Sequence, residues 1–174
     1  MKTLALLLTA LLPVTDAAIL PPTQSVLVSQ SIAYQPQKSS VPMKNQATQI
    51  VTRFLKAVQT GDQATLAAAL HDGITWNQPG NNAFSGVKRS KTDVFQMVGG
   101  MFSLTEDTMR LTNIKVVAEN GNEIACLLHW TAARPTGEVL DVDNIDVYTV
   151  KDGQIVNAQV FSADIDQENR FWVR

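Results

Sequence analysis

Two runs of alternating polar and apolar residues, separated by the dipeptide Asp152-Gly153, constrain the fold of this chain more than any other feature. The run 144–150 precedes the dipeptide, and the less regular run 155–161 follows it. Asp-Gly between two such runs is typical of a β-hairpin with a tight turn. An isolated hairpin is only marginally stable in water, so further strands must lie beside it and helices must cover one face.

The residues before the hairpin predict those helices. Apolar residues of 46–60 recur at helical spacing, and Gly61 ends the pattern where a left-handed cap is expected. Asp62 is suited to cap a second, alanine-rich helix over 63–70, and Ser90 is suited to cap a third helix.

The apolar pattern changes from helical spacing to alternation at Thr108. Strands are predicted over 109–117, with a bulge near Thr112-Asn113, and over 123–133, and a turn at 134–137 then leads into the hairpin. A short strand is also predicted at Ile74-Thr75-Trp76, before the third helix, and Asp164 is suited to cap a short last helix. Three helices followed by a four-stranded antiparallel meander predict an α+β fold.

The N-terminal residues predict export. Lys2 precedes an apolar run of about eleven residues and then small residues, which is typical of a signal peptide over 1–18. A membrane-spanning helix needs roughly twenty apolar residues, so no stable membrane anchor is expected. Residues 19–45 carry four prolines among polar residues and are predicted to be a flexible linker or N-terminal extension. The folded domain is therefore expected over 46–174, with a periplasmic or extracellular location.

Composition excludes several partners. The formal net charge is -2, and the 14 Lys and Arg residues are scattered, so no basic surface for a nucleic acid is predicted.

Cys126 is the only cysteine, which excludes a disulfide within the chain, and its apolar neighbours predict a buried, unreactive thiol rather than a nucleophile.

Four short motifs follow one another along the chain: 53–62 (RFLKAVQTGD), 76–80 (WNQPG) with Ser85-Gly86, 147–156 (VYTVKDGQIV), and Asp164 with Phe171-Trp172. In this order they resemble the SnoaL-like branch of the nuclear transport factor 2-like superfamily, which also contains the ketosteroid isomerases. The resemblance covers roughly Gln46 to Trp172, and one departure is Ser90, where relatives usually carry glycine.

The resemblance implies a cone-shaped fold, in which a curved antiparallel sheet packs on three N-terminal helices and leaves an apolar pocket at its wide end. It also implies a homodimer through the outer face of the sheet. Members include isomerases, polyketide cyclases, epoxide hydrolases, dehydratases and proteins without catalytic activity, so the fold does not decide the function.

Two known chemistries of this superfamily are disfavoured by the residues present. Alignment on the motifs places Asp146 where a ketosteroid isomerase carries a protonated acid, but Phe54 replaces the phenol and Gln78 replaces the base. The epoxide hydrolases use an Arg-x-Asp pair, and Leu127 and His129 occupy those two places here.

The remaining polar candidates are Asp146 and His129. If they approach each other, the carboxylate can orient the imidazole as a general base, as the resemblance to cyclases suggests; otherwise His129 is an ordinary strand residue. The residues expected to line the pocket or bind the ligand are Phe54, Trp76, Gln78, Tyr148, Phe161 and Asp164. The aromatic members and Asp164 are equally compatible with core and helix-cap roles.

The sequence predicts no metal site and no cofactor, because the chain has only two histidines and no phosphate-binding glycine loop. The function expected is binding of a small apolar molecule, with or without general acid–base catalysis such as isomerisation, cyclisation or hydrolysis. The alternatives are a non-catalytic ligand-binding or dimerisation module, and an exported accessory subunit tethered by residues 19–45.

Overall fold

The computed structural model describes residues 45–173, so the predicted signal peptide and nearly all of the linker lie outside the described residues. Four helices and six strands follow one another in this part of the chain. In chain order the elements are α1 (Gln46–Thr60), α2 (Gln63–Ala69), β1 (Leu70–Gln78), β2 (Gly86–Lys88), α3 (Lys91–Leu104), β3 (Arg110–Asn120), β4 (Glu123–Ala133), β5 (Val139–Lys151), β6 (Gln154–Ser162) and α4 (Ile165–Phe171).

The caps form as the sequence predicts. Gly61 adopts the left-handed conformation after α1 and donates its cap hydrogen bond to the helix, and Asp62 and Ser90 accept backbone hydrogen bonds at the start of α2 and α3. Asp164 caps α4 in the same way, with its Oδ1 atom 2.8 Å from the amide nitrogen of Gln167. Local side-chain chemistry therefore fixes where each helix begins.

The six strands form one sheet in the order β2-β1-β6-β5-β4-β3. The hairpin β5-β6 turns at Asp152-Gly153, where both residues have positive φ, as a type I′ turn requires. The strands β3 to β6 form the predicted antiparallel meander, with the bulge between Leu111 and Asn113. β1 is longer than predicted and pairs in parallel with β6, so the whole sheet is mixed.

The helices cover one face of the sheet. Helix α1 contacts strands β3 to β6, α3 contacts β1 and β2, and α4 contacts β5. Alternation along β5 is complete, because each even-numbered residue from 140 to 150 is buried under this layer and the odd-numbered residues lie on the outer face. No helix among residues 45–173 combines the length and apolar character needed to span a bilayer.

Candidate functional site

A cavity of about 160 Å³ lies between the helical layer and the inner face of the sheet. Its walls are mostly apolar, and the exposed residues Gly61 and Gln63 lie at its rim. The polar side chains on its walls come mainly from β1, β5 and α4. Inside the rim they are Gln78, Asn144, Asp146, Tyr148 and Glu168, together with the indoles of Trp76, Trp130 and Trp172.

Strand β5 places Asn144, Asp146 and Tyr148 side by side on the inner face, because they occupy every second position of the strand. Asp146 is only 3% exposed, and its Oδ2 atom accepts a 2.6 Å hydrogen bond from the Tyr148 hydroxyl. Its Oδ1 atom is buried and has no hydrogen-bond partner among the described residues. The carboxyl therefore keeps one free hydrogen-bonding position inside an apolar cavity.

The pKa of Asp146 is raised from 3.8 to about 7, and burial is the main cause. The nearby negative charge of Glu168 also raises this pKa, whereas the hydrogen bond from Tyr148 lowers it. Burial and the adjacent Asp146 raise the pKa of Tyr148 well above 10, so Tyr148 remains a neutral donor. A carboxyl group with a pKa near 7 can give or take a proton at neutral pH.

Glu168 is a second buried acid at the same cavity, and the predictions from sequence did not include it. It is 2% exposed, and its pKa is raised above 4.5 because burial outweighs the hydrogen bonds from Ser162 and Asn144, which lower it. In the favoured orientation of its amide, the Asn144 nitrogen lies 3.1 Å from Glu168 Oε1. A sequence signal was available, since Glu168 is three residues after Ile165 and four before Trp172, both expected on the apolar face of α4.

Four of the residues predicted for the pocket lie at the cavity: Phe54, Trp76, Gln78 and Tyr148. Phe54 from α1 and Trp76 from β1 both contact the Tyr148 ring edge to face, with ring centroids 5.7 and 6.1 Å away. The Trp76 indole donates a 3.2 Å hydrogen bond to Gln78 Oε1. These contacts fix the orientation of the phenol that bonds Asp146.

His129 does not approach Asp146, so the proposed dyad does not form. Pairing of β4 with β5 places His129 opposite Asp143 on the outer face, whereas Asp146 lies opposite Cys126 on the inner face. The imidazole bonds Asp143 at 2.7 Å and lies 3.3 Å from an Asp141 oxygen. His129 is therefore a partly exposed strand residue held by two carboxylates.

Two other predicted site residues also lie away from the cavity. Phe161 belongs to β6 and pairs with Ile145 on the outer face, where its side chain is 53% exposed. Asp164 is exposed and serves as the N-cap of α4. Both positions follow from local geometry: strand alternation turns Phe161 outward, and the cap hydrogen bond occupies the Asp164 carboxylate.

Cys126 is fully buried behind the site, and burial together with the Asp146 charge raises the pKa of its thiol to about 12. The thiol is therefore protonated at neutral pH and is a poor nucleophile. Residues 45–173 contain no cluster of three or more His, Cys, Asp or Glu side chains with the arrangement of a metal site.

Comparison with known proteins agrees with the motifs. Residues 51–158, more than half of the chain, match the model of the SnoaL-like domain. A Xanthomonas campestris protein of unknown function with a cystatin-like fold is 33% identical, with a TM-score of 0.70 and coverage of 74% of this chain and 98% of its own.

Two further relatives extend the comparison. The uncharacterized Mycobacterium tuberculosis protein Rv0034 is 28% identical over 123 residues, which are 71% of this chain and 93% of that protein. The structure of a proposed SnoaL-like polyketide cyclase from Jannaschia sp. CCS1 matches with a TM-score of 0.60 and 15% identity, and the match covers 74% of this chain and 93% of that protein. At that identity the likeness concerns the fold alone. The resemblance carried by the four motifs is confirmed, and the chain belongs to the SnoaL-like domain family.

Proposed function

We propose that this domain binds a small, uncharged, mostly apolar molecule in its cavity and transfers protons to or from it without a cofactor. The observation that carries the proposal is the unpaired, buried Oδ1 atom of Asp146. An unsatisfied buried polar atom costs roughly 1–3 kcal/mol, and a ligand oxygen that hydrogen-bonds Asp146 removes that cost. The remaining walls supply apolar contact for the body of the molecule.

The charges at the cavity favour a neutral ligand. Among the described residues the walls contain two acids and no Lys, Arg or His. An anionic ligand would meet two carboxyl groups in an environment of low dielectric constant, which is strongly unfavourable. A carbonyl or hydroxyl oxygen has no such cost and can accept a hydrogen bond from protonated Asp146.

The size of the cavity restricts the part of the ligand that is buried. At about 160 Å³ it is close to the roughly 150 Å³ of an engineered apolar cavity that holds benzene. A single ring with one carbonyl oxygen therefore matches the enclosed space. Larger molecules have to extend past Gly61 and Gln63 at the rim.

Isomerisation, cyclisation and hydrolysis remain the candidate reactions, because each requires an acid or a base beside an oxygen of the substrate. Asp146 is the catalytic residue of the proposal, and Tyr148, which donates to Asp146 Oδ2, positions it.

Deuterium exchange at the α-carbons of cyclohexanone tests the proposal with a single-ring ketone. The full chain in D₂O should accelerate loss of the α-proton NMR signal, and Asp146→Asn should abolish the acceleration, because an amide cannot supply the proton. Asp141→Asn, on the exposed face of the same strand, should leave the rate unchanged. Exchange by wild-type protein no faster than in buffer, or a fully active Asp146→Asn variant, would refute the proposal.

A second candidate function is a ligand-binding or dimerisation module without catalysis, and one observation favours dimerisation. Ile145 and Phe161 are neighbours across β5 and β6 on the outer face, and they are 45% and 53% exposed. Exposed apolar neighbours on an uncovered sheet face are typical of an interface. A homodimer by sedimentation that Ile145→Lys converts to a monomer would support this candidate, and a wild-type monomer at high concentration would contradict it.

Export remains part of the proposal, supported by the Lys2 and apolar run of residues 1–18. Fusion of those residues to a reporter that is active only outside the cytoplasm tests it. Deletion of residues 4–14 should abolish the reporter activity, and an inactive fusion in the native host would contradict export.

A further inference from the structure

Glu168 and Asp146 differ in the number of hydrogen bonds that they accept. Glu168 receives two donors, the Ser162 hydroxyl and the Asn144 amide, which stabilise a negative charge. Asp146 receives one donor, from Tyr148, and its second oxygen has no partner among the described residues. Of two acids that share one apolar cavity, the acid with more donors is the better anion.

We propose that Glu168 is the general base of this site, that protonated Asp146 is its general acid, and that the substrate is a neutral carbonyl compound with an acidic α-hydrogen. This assignment rests on the proposed function of the cavity and gives it a proton acceptor. Glu168 thus takes the role of general base that the sequence suggested for His129, which lies on the other face of the sheet.

The proposed step is enolisation, and it needs no other reactant. The Glu168 carboxylate takes the α-proton, and the electron pair of the broken C–H bond forms the C=C bond of the enol. The π pair of the carbonyl takes the proton of Asp146, which becomes a carboxylate. Reprotonation at a different carbon then gives isomerisation, and attack of the enol carbon on a second carbonyl of the same molecule gives cyclisation.

The side chains on the strands beside the pair are uncharged at neutral pH. Tyr148 on β5 and Cys126 on β4 stay protonated at neutral pH, and Gln78 on β1 is neutral. On α4 itself Arg170 is exposed, and Arg134 donates to the Phe171 carbonyl and lies 3.9 Å from the Glu138 carboxylate.

Two neighbours remain on the side of α4 and α1. Asp164 raises the pKa of Glu168 through its negative charge, and Phe54 contributes no charge. One proton shared between the two acids is therefore the favoured state near neutrality, since two neighbouring buried carboxylates resist simultaneous ionisation.

Cyclohexanone exchange in D₂O, measured over pH 4 to 9 with the full chain, tests the assignment. Glu168→Gln should lower kcat by about 100-fold or more, the usual contribution of one acid or base, while KM changes little because the amide fills the same space. The wild-type rate should rise with pH as Glu168 ionises and fall as Asp146 loses its proton.

Ser162→Ala provides a second variant that does not remove either acid. Loss of one donor to Glu168 destabilises its carboxylate, so the rising limb of the pH profile should move to higher pH. A role of Glu168 in packing alone would leave that limb in place. This readout applies even if Glu168→Gln unfolds, which circular dichroism would reveal.

The outcomes separate this inference from the function on which it rests. Loss of exchange in both Glu168→Gln and Asp146→Asn, with a shifted limb in Ser162→Ala, supports it. If Asp146→Asn is inactive but Glu168→Gln keeps the wild-type rate, or the limb of Ser162→Ala does not move, the base is not Glu168 while the proposed function stands. Absence of wild-type exchange overturns both.

Discussion

Replacement of Asp146 by asparagine should make the protein more stable at alkaline pH than the wild type. Folding raises the pKa of this carboxyl from 3.8 to about 7. Well below pH 3.8 the carboxyl is protonated in both the folded and the unfolded chain, so it does not change the free energy of unfolding. Between pH 4 and 7 the unfolded chain loses the proton and the folded chain keeps it, so wild-type stability falls as the pH rises and levels off above 7.

The size of the effect follows from the shift. Each pKa unit corresponds to about 1.4 kcal/mol, so a shift from 3.8 to about 7 lowers the stability by about 4 kcal/mol at pH 8. Asparagine has nearly the shape of the protonated acid and does not ionise. Its extra N–H groups add a cost of roughly 1–3 kcal/mol at every pH, which shifts the whole curve without changing its slope.

Urea unfolding at several pH values measures the difference directly. The free energy of unfolding of Asp146→Asn minus that of the wild type should increase by about 4 kcal/mol from pH 4 to pH 8. Asp152→Asn is the matched control, because it makes the same substitution at an exposed turn. Parallel stability curves for Asp146→Asn and the wild type would refute the burial and ionisation argument.

Three other predictions test the surroundings of the site. Gly80→Ala should destabilise the protein by about 1–3 kcal/mol more than Gly86→Ala. Both glycines have positive φ, but only a Cβ atom at position 80 would clash with a neighbour, since it would lie 2.5 Å from Asn169 Oδ1. Equal free energies of unfolding for the two variants would contradict this. Cys126 should react with a thiol reagent only after denaturation, and rapid labelling of the native protein would show that its burial is wrong. Ser90→Ala should cost about 1 kcal/mol in thermal or urea unfolding, whereas Ser90→Thr, which keeps the capping oxygen, should cost less.

Much of the fold was accessible from the sequence because its signals are local. Turn residues set the β5-β6 hairpin, capping residues set the starts of α2, α3 and α4, and alternation set the strands. The same alternation placed Asp146 and Tyr148 on one face of β5, and the resemblance placed that face toward the pocket.

The relation between neighbouring strands was not accessible in the same way. Whether His129 faces the cavity depends on the register of β4 against β5, and a slip of one residue turns every side chain to the other face. The observed pairing matches His129 with Asp143, an outward residue. The parallel pairing of β1 with β6 is a long-range contact, and no turn residue signals it.

Hydrogen bonds outside the cavity hold α4, the helix that carries the second buried acid. It supplies Glu168 and precedes Trp172, which also lines the cavity. The loop after β1 holds α4 from outside, because Ala83 donates a 2.9 Å hydrogen bond to the Trp172 carbonyl and Asn81 donates one of 2.7 Å to the side chain of Asn169.

Displacement of α4 would therefore change both acids at once. Water would reach Asp146 and the charge of Glu168 would move away, and both changes lower the pKa of Asp146 toward its ordinary value. Above that pKa, Asp146 would be ionised and unable to donate a proton. The packing of α4 against the sheet is thus what keeps an acid available at neutral pH, and residues of the loop that touch neither acid are expected to influence the pH dependence of the site.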